Sequence, residues 1–263
     1  MNAIYNIALY LVERWLALYV FLSKRRTRTS KLSRFAFGQV GLLEHIESDM
    51  AASRGDGMVY WFHAASLGEY AIARPIIKRL KEMHGDGCRV VLTFFSSTGV
   101  DALSKRHDEI DYLYFLPLDS RRNVSRFLDA VRPTAAVFMV SEYWHNYLCQ
   151  LHRRGIPTYL VSAVIHRRSA FFRWYGVFFR RMLRAYTHIF VLNDASRDNL
   201  SRLGCRHVTV TGDPLFDNAA AIAATPWHNG IVERFAGQSP LFVAGSIHYD
   251  QDMDMICHLA NKH

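Results

Sequence analysis

Glu69 is the residue of this sequence best placed to do chemistry, because it ends a short turn between a strand-like and a helix-like run. The turn is HAASLGE, residues 63–69; a β-branched and aromatic run, 58–62, precedes it and a helical pattern, 70–83, follows it. A carboxylate at such a turn can act as a general base, removing a proton from an attacking hydroxyl group. The spacing Ser66-x-x-Glu69 is equally that of a helix capping box, in which both side chains bind free backbone amides. Spacing alone favours the cap.

The elements that would position this turn alternate regularly along the chain. Short runs rich in β-branched and aromatic residues are separated by helical stretches, which predicts a parallel sheet covered by helices on both faces. The predicted strands are residues 58–62, 89–94, 112–115, 135–140, 158–161, 189–192 and 207–211. The sequence therefore predicts an α/β protein with a Rossmann-like, doubly wound sheet, whose ligands bind at the carboxyl ends of the strands.

Two further polar residues follow predicted strands and would reach the same edge of the sheet. Glu142 comes after the run 135–140, and Ser96 comes after the run 89–94 at the predicted start of a helix. Hydroxyls and amides at a helix start can hold an anion, although the same residues also suit a polar turn. Glu142 could equally be a helix cap or a surface charge.

The charge of the chain indicates an anionic partner. Its 263 residues carry a formal net charge of +9, and the isoelectric point is about 9.5. Acidic lipid, a phosphorylated substrate or nucleic acid would each satisfy this balance, but no nucleic-acid-binding motif is present, so nucleic acid is not expected. The four cysteines are widely spaced and suggest reduced thiols in a protein that faces the cytosol.

The N-terminal segment, residues 1–34, predicts a membrane-associated helix followed by a basic stretch. The apolar run 3–22 just reaches the roughly 20 residues that a membrane-spanning helix needs. Glu13 and Arg14 interrupt its middle, where each charge would cost on the order of 2.5 to 3.5 kcal/mol in the bilayer. That cost favours a helix that is embedded in one leaflet or only marginally spans the bilayer, and the alternative is a helix packed on the domain. The basic residues that follow would bind anionic headgroups and keep the protein cytoplasmic: Lys24, Arg25, Arg26, Arg28, Lys31 and Arg34.

A second segment, 167–184, is dense in both arginine and aromatic residues. Such a segment can lie on a bilayer surface, with its rings at the interface and its guanidinium groups on phosphates. It can equally be a helical region whose aromatic rings belong to the core and whose arginines are solvated. The sequence leaves both possibilities open.

Taken in order, the motifs of this chain resemble the first half of the bacterial Kdo transferases, which add 3-deoxy-D-manno-octulosonic acid (Kdo) from CMP-Kdo to the lipid A precursor. The matching segments are residues 63–69, 93–99, 116–119, 141–146, 168–169, 211–213, 216–217 and 245–248. The resemblance implies the N-terminal, acceptor-binding domain of a B-type glycosyltransferase fold. It also implies an inverting transfer without metal ion or cofactor, in which Glu69 is the general base.

The resemblance assigns further residues to the two substrates. The implied substrate-binding residues on the acceptor side are Ser66, Gly68, Ser96, Glu142, Asn146, Arg167, Arg168 and Ser169. The implied nucleotide-sugar-binding residues are Gly212, Asp213, Gly245, Ser246 and His248. The chain departs from the family pattern at two basic positions, where it has Leu215 and the pair Val164-Ile165. Arg167 or Arg168 would then have to supply the missing charge.

The expected organisation follows from the same comparison of motifs. Residues 1–34 would be the membrane-associated segment and 35–225 the acceptor-binding domain. Residues 226–263 would be a linker and the first β-α unit of an incomplete, truncated nucleotide-sugar-binding domain, with a strand over 241–244. The expected partners are the lipid A precursor, CMP-Kdo and anionic inner-membrane lipid, at the cytoplasmic face of the inner membrane. The alternative function is a non-catalytic membrane-surface module that binds anionic lipid through its basic and aromatic segments.

Overall fold

The structure is a computed structural model and describes residues 2–23, 30–53, 55, 57–104, 109–226, 228–238, 241–245, 247 and 250–262. Contacts divide the chain into two compact units, one up to Ala221 and one from Ile222. The larger unit contains all the strands of the described residues. The basic residues 24–29 predicted to bind lipid headgroups lie outside the described part of the chain.

Seven strands form the sheet of the larger unit. They are β1 (Met58–Ala64), β2 (Cys88–Phe94), β3 (Tyr112–Phe115), β4 (Ala135–Met139), β5 (Thr158–Ala163), β6 (His188–Val191) and β7 (Val208–Val210). All neighbouring pairs are parallel, in the order β3-β2-β1-β4-β5-β6-β7. The predicted α/β class and each of the seven predicted strands are confirmed.

The described residues also form twelve α-helices, of which the last two belong to the smaller unit. They are α1 (Asn2–Leu22), α2 (Lys31–Gly38), α3 (Leu42–Ala52), α4 (Leu67–His84), α5 (Ser97–Leu103), α6 (Arg121–Val131), α7 (His145–Arg153), α8 (Val177–Leu183), α9 (Asp194–Arg202), α10 (Leu215–Ala223), α11 (Gly230–Ala236) and α12 (Asp250–Ala260). The helix predicted over residues 70–83 is α4, which begins three residues earlier.

The core lies on both faces of the sheet, as expected for parallel strands whose residues are nearly all apolar. Successive residues of β1 point to opposite faces. Trp61 packs against the rings of Phe127 and Phe138 on one face, with centroid distances of 4.8 and 5.1 Å. Phe62 belongs to the second cluster, on the opposite face, together with Ile77 of α4. Both faces of the central strands are therefore covered by packed side chains, and the strand ends remain accessible to ligands.

Helix α1 is attached to the sheet domain through polar side chains. The Tyr5 hydroxyl donates to Asp119 Oδ2 at 2.6 Å, and Glu13 Oε1 accepts from the Asn123 amide at 2.9 Å. Leu16 is the buried apolar residue of this helix. The opposite side carries an apolar stripe at helical spacing, whose members are between 51% and 71% exposed: Ile4, Ile7, Leu11, Trp15, Leu18 and Leu22. The helix thus turns its polar groups inward and its apolar groups outward.

The segment 167–184 divides between the two alternatives that the sequence left open. Phe171 and Phe178 are buried in the core, whereas Trp174 is 90% exposed. The Arg180 guanidinium donates to the carbonyl oxygen of Phe171 at 2.7 Å. Most of this segment is therefore structural, with Trp174 and the adjacent Tyr175 exposed at its surface.

The smaller unit consists of helices α11 and α12 with connecting coil. Residues 241–245 form no strand, which differs from the strand predicted over 241–244. A strand is held by backbone hydrogen bonds to a neighbouring strand, and the described residues of this unit offer no such neighbour. The helix of the predicted β-α unit is present as α12, over Asp250–Ala260.

Candidate active site at the switch point of the sheet

The strand order places a topological switch point between β1 and β4. The chain runs from β1 outward to β2 and β3, and then returns to the other side of β1 as β4. In sheets of this kind, ligands bind in the crevice beyond the carboxyl ends of the two strands where the order reverses. Glu69 follows β1 and Glu142 follows β4, so both predicted acidic residues lie at this crevice.

Glu69 caps its own helix with one carboxylate oxygen. Ser66 is the N-cap of α4, and its Oγ accepts from the Glu69 amide at 3.4 Å. Glu69 Oε2 accepts from the Ala65 amide at 2.6 Å. In a standard capping box the donor would be the backbone amide of the N-cap residue, Ser66, which is one residue later. Among the described residues, no hydrogen bond is made to Oε1. The cap therefore orients the carboxylate and leaves one oxygen available for proton transfer.

The surroundings of Glu69 raise the pKa of its carboxyl group. Burial is the largest cause, and the nearby negative charge of Glu142 acts in the same direction. The hydrogen bond from the Ala65 amide and the nearby His63 both lower the pKa and oppose these effects. A carboxylate with a raised pKa is a stronger base at neutral pH, which suits a residue that must accept a proton.

Glu142 is nearly buried and is held by aromatic and imidazole groups. The Trp144 indole Nε1 donates to Glu142 Oε2. His63 Nε2 lies 3.2 Å from the same oxygen, although it is not aligned for a hydrogen bond. The Tyr186 hydroxyl donates to the backbone carbonyl of Glu142. This carboxylate is therefore fixed beside Glu69 rather than being a mobile surface charge.

His63 is the site residue for which the sequence suggested no role. It is completely buried near the end of β1, with Nδ1 3.1 Å from the Thr93 carbonyl oxygen and 3.0 Å from Thr93 Oγ1. A carbonyl only accepts hydrogen bonds, so Nδ1 carries a proton, and Nε2 is the atom that faces Glu142. Its position in the sequence did point to the site, since His63 is the first residue of the HAASLGE turn that contains Glu69.

The backbone at this edge is strained at two non-glycine residues. Val140, just after β4, has φ of 60°, and Ser162 in β5 has φ of 62°. A β-branched residue with positive φ is a true outlier, because its side chain crowds the backbone. The Ser141 amide donates to the Met139 carbonyl at 2.8 Å across Val140, which closes a three-residue turn. Such strain clusters at functional sites, and here the turn directs the chain toward Glu142.

Ser66, Gly68 and Ser96 lie at the same edge. Gly68 is an exposed residue in the first turn of α4, and Ser96 caps α5 by accepting from the Thr98 amide at 3.3 Å. The Ser96 amide donates to the Ala65 carbonyl at 3.0 Å, so the turns after β1 and β2 are joined. The structure therefore brings together Glu69, Glu142 and these three predicted residues.

Asn146 has a structural role that differs from the predicted substrate contact. Its side chain is buried, and its amide nitrogen donates to the Asp119 carbonyl and to Asn6 Oδ1. Both amide hydrogens are thus used inside the protein, and none remains for a substrate. The amide joins α1 to the start of α7.

Asp119 belongs to one of the matching motifs, but its role is not evident from the sequence. Its carboxylate is fully buried and accepts from the backbone amides of Asn146 and Tyr147 at 3.0 and 2.9 Å, as well as from Tyr5. Trp144, the N-cap residue of α7, makes no side-chain cap, so Asp119 caps this helix from another part of the chain. Burial raises the pKa of Asp119 to about 6, against the lowering effect of its hydrogen bonds.

The other predicted binding residues lie farther along the sheet. Arg167 and Arg168 are exposed in the turn after β5, and the buried Ser169 Oγ has no hydrogen-bond partner among the described residues. Gly212 has φ of 75°, and Asp213 Oδ1 accepts from Ser162 Oγ at 3.4 Å and from the Leu215 amide at 3.0 Å. These residues follow β5 and β7 rather than the switch-point strands. Gly245 lies in coil of the smaller unit, and Ser246 and His248 lie outside the described residues.

An all-parallel sheet in this order, with a ligand crevice at its switch point, is a Rossmann-like, doubly wound domain. The family profile of the 3-deoxy-D-manno-octulosonic-acid transferases matches residues 30–218. This match covers well over half of the chain, which therefore belongs to that family.

Curated relatives carry the same family name. The chain is 26% identical over 201 residues to the 3-deoxy-D-manno-octulosonic acid transferase of Haemophilus influenzae, which covers 73% of this chain and 45% of the relative. It is 35% identical over 103 residues to the transferase of Aquifex aeolicus, which covers 39% of this chain and 27% of the relative. The chain thus spans less than half the length of these relatives.

Solved structures with the same fold include two sugar-nucleotide epimerases. A UDP-N-acetylglucosamine 2-epimerase aligns with a TM-score of 0.52 and 11% identity, over 68% of this chain and 54% of the epimerase. The UDP-GlcNAc 2-epimerase of Methanocaldococcus jannaschii aligns with a TM-score of 0.51 and 16% identity, over 70% of this chain and 54% of the epimerase. At such low identity, the likeness concerns the fold alone.

Proposed function

We propose that this chain is the acceptor-binding half of a glycosyltransferase that moves Kdo from CMP-Kdo onto the lipid A precursor with inversion. The observation that carries the proposal is Glu69, a half-buried carboxylate at the switch point of the sheet, one oxygen of which accepts no hydrogen bond from the described residues. Membership of the transferase family supplies the class of reaction.

In the proposed reaction, a hydroxyl group of the acceptor gives its proton to Glu69. The hydroxyl oxygen forms a bond to the anomeric carbon of Kdo, while the bond from that carbon to the CMP oxygen breaks on the opposite face. CMP leaves with the electron pair of the broken bond, which inverts the anomeric centre. General-base assistance of this kind typically contributes on the order of 10² to 10⁴ in rate. Glu142 supports the reaction by holding the pKa of Glu69 up through its negative charge.

The acceptor side of the site comprises Ser66, Gly68 and Ser96 next to Glu69. Arg167 and Arg168 supply contacts to anionic groups of the substrates, because both are exposed and no ion pair engages them among the described residues. We assign Ser169 to the same group on the resemblance of its motif alone. We assign contacts with CMP-Kdo to Gly212, Asp213, Gly245, Ser246 and His248 on the resemblance of their motifs alone. No cofactor is assigned.

We place the protein at the cytoplasmic face of the inner membrane, with α1 lying in the plane of one leaflet. This helix is long and apolar enough to cross a membrane by length and composition, and only 6% of its apolar window is buried. However, Tyr5, Glu13 and Leu16 all contact the sheet domain, over a stretch of three helical turns. A helix attached to a folded domain along half its length cannot cross the hydrocarbon core, whereas its outward apolar stripe suits an interfacial helix.

The direct test is Kdo transfer by the native protein isolated from its host membranes, supplied with CMP-Kdo and the lipid A precursor. A Kdo-bearing product of inverted anomeric configuration is the expected result, and retained configuration would refute the proposed direct displacement. Co-sedimentation with anionic liposomes tests acceptor binding separately. Retention that rises with added precursor at constant surface charge supports an acceptor site, and equal retention on both favours the non-catalytic membrane module.

A further inference from the structure

A groove between α1 and the helices α3 and α6 is separate from the candidate active site. It has a cavity volume of about 640 Å³, within the usual range of ligand sites, and is lined by α1, α3, the turn after β3 and the start of α6. β3 is the outermost strand on its side of the sheet, two strands away from β1. Neither Glu69 nor Glu142 lines the groove.

The floor of the groove is apolar. Leu16, Leu42 and Leu43 are buried at its base, and Val40, which is 62% exposed, lies at its side. Ala17 of α1 also lines it and is exposed. These apolar residues can accommodate a hydrocarbon chain, because its burial against them removes apolar surface from water.

The rim of the groove is positively charged. Four arginines and two glutamates line it, and Arg126 is engaged by Glu44 and Glu47 at 2.9 and 2.8 Å. Among the described residues, none of the other three arginines forms an ion pair: Arg14, Arg121 and Arg122. Guanidinium groups bind phosphate through paired hydrogen bonds. The rim therefore suits a phosphate, in the same groove as the apolar floor.

The outward apolar stripe of α1 indicates that a molecule with a phosphate and an apolar chain would come from the membrane. Its exposed leucine and isoleucine side chains place the helix among membrane lipids, and the groove runs along the other side of the same helix. A molecule with an anionic head and an apolar chain is then present at the groove entrance at high local concentration. We propose that this groove binds one anionic glycerophospholipid of the membrane, with its phosphate on Arg121 and Arg122 and an acyl chain on the leucine floor.

The test is native mass spectrometry of the delipidated 263-residue chain with dioleoylphosphatidylglycerol. One bound lipid is expected. Binding should be at least tenfold weaker for dioleoylphosphatidylcholine, whose choline cation cancels the phosphate charge, and for glycerol phosphate, which has no acyl chain. The double variant R121Q/R122Q is expected to weaken binding at least tenfold. The variant R153Q/R202Q is the matched control, since it removes the same charge from exposed positions outside the groove.

A second pair of variants tests the apolar floor. A17W fills the groove and should abolish lipid binding, whereas A8W adds the same ring to an exposed position of α1 outside the groove and should not. Thermal unfolding of each variant verifies folding. The proposal is overturned if R153Q/R202Q weakens binding as much as R121Q/R122Q, if A17W binds normally, or if lipid A precursor displaces the phospholipid at equal concentration. Because no sugar transfer is measured, failure of the proposed transferase function would leave this result unaffected.

Discussion

Replacing Glu69 with glutamine separates its proposed catalytic role from its capping role. The amide oxygen of glutamine can still accept the hydrogen bond from the Ala65 amide, which is 2.6 Å from Oε2 in the native protein. The free energy of unfolding should therefore change by less than about 1 kcal/mol. A glutamine cannot accept the proton of an acceptor hydroxyl, so Kdo transfer should fall by about 10² to 10⁴, or about 3 to 5 kcal/mol in the activation barrier.

The assay is the initial rate of Kdo transfer by each variant protein, isolated from a strain that carries the substitution. Glu82→Gln is the matched control, because it removes the same charge from an exposed glutamate paired with Arg79 near the end of α4. Glu69→Ala completes the set, since alanine also loses the cap and should cost about 1 kcal/mol of stability. Chemical denaturation of the three variants provides these stabilities.

Transfer by the glutamine variant within threefold of the native rate would refute the assignment of Glu69 as the base. Loss of transfer in the alanine variant alone would show that the residue acts only through the helix cap. Equal losses in the glutamine variant and in the Glu82 control would trace the effect to net charge. Only a large loss confined to the two position-69 variants agrees with general-base catalysis.

Three further predictions concern pH and packing. Glu142 raises the pKa of Glu69 and His63 lowers it. Glu142→Gln should therefore move the acid limb of the kcat/KM profile to lower pH, and His63→Asn should move it to higher pH. Shifts of both variants in the same direction would contradict this electrostatic coupling. Folding raises the pKa of Asp119 from 3.8 to about 6, so the folded state binds its proton more tightly than the unfolded state does. The contribution of Asp119 to the free energy of unfolding is therefore greatest below pH 4 and falls by about 3 kcal/mol as pH rises through 6. Urea titrations at a series of pH values should show this fall in the native protein and not in Asp119→Asn. Gly176→Ala should reduce the free energy of unfolding by about 1 to 3 kcal/mol, since the new Cβ would lie 2.5 Å from a backbone carbonyl oxygen; an unchanged urea midpoint would contradict it.

The sheet could be predicted from sequence because each strand is a short, almost continuous apolar run bounded by polar turns. Parallel strands are buried on both faces, so this pattern depends on local composition and not on distant contacts. Residues 241–244 show the limit of the same argument. They have the composition of a strand, but a strand also requires a partner, and composition does not show whether a partner is near.

The candidate site was predictable where it depends on position relative to a strand. Glu69 and Glu142 each follow a strand, and the strand order then brings them to one crevice. Asp119 and Asn146 could not be interpreted this way, because their roles depend on contacts with Tyr5 and Asn6, more than one hundred residues away in sequence. A buried amide and a substrate-binding amide have the same sequence pattern, and only their surroundings distinguish them.

The contacts of α1 connect the proposed membrane helix with the acidic site. The Tyr5 hydroxyl binds Asp119, and Asp119 caps α7 through its first backbone amides. That helix begins three residues after Glu142, whose carboxylate is held by Trp144, the N-cap residue of the same helix.

A displacement of α1 would therefore leave the buried Asp119 carboxylate with fewer hydrogen bonds, at a cost of about 1 to 3 kcal/mol, unless the start of α7 moved as well. The same polar contacts keep Glu13 away from lipid, because its carboxylate binds Asn123 of the domain. Glu13, one of the two charged residues that make α1 a poor membrane-spanning helix, thus also attaches it to the domain. Attachment to the membrane and the geometry around Glu142 are consequently linked through one buried carboxylate.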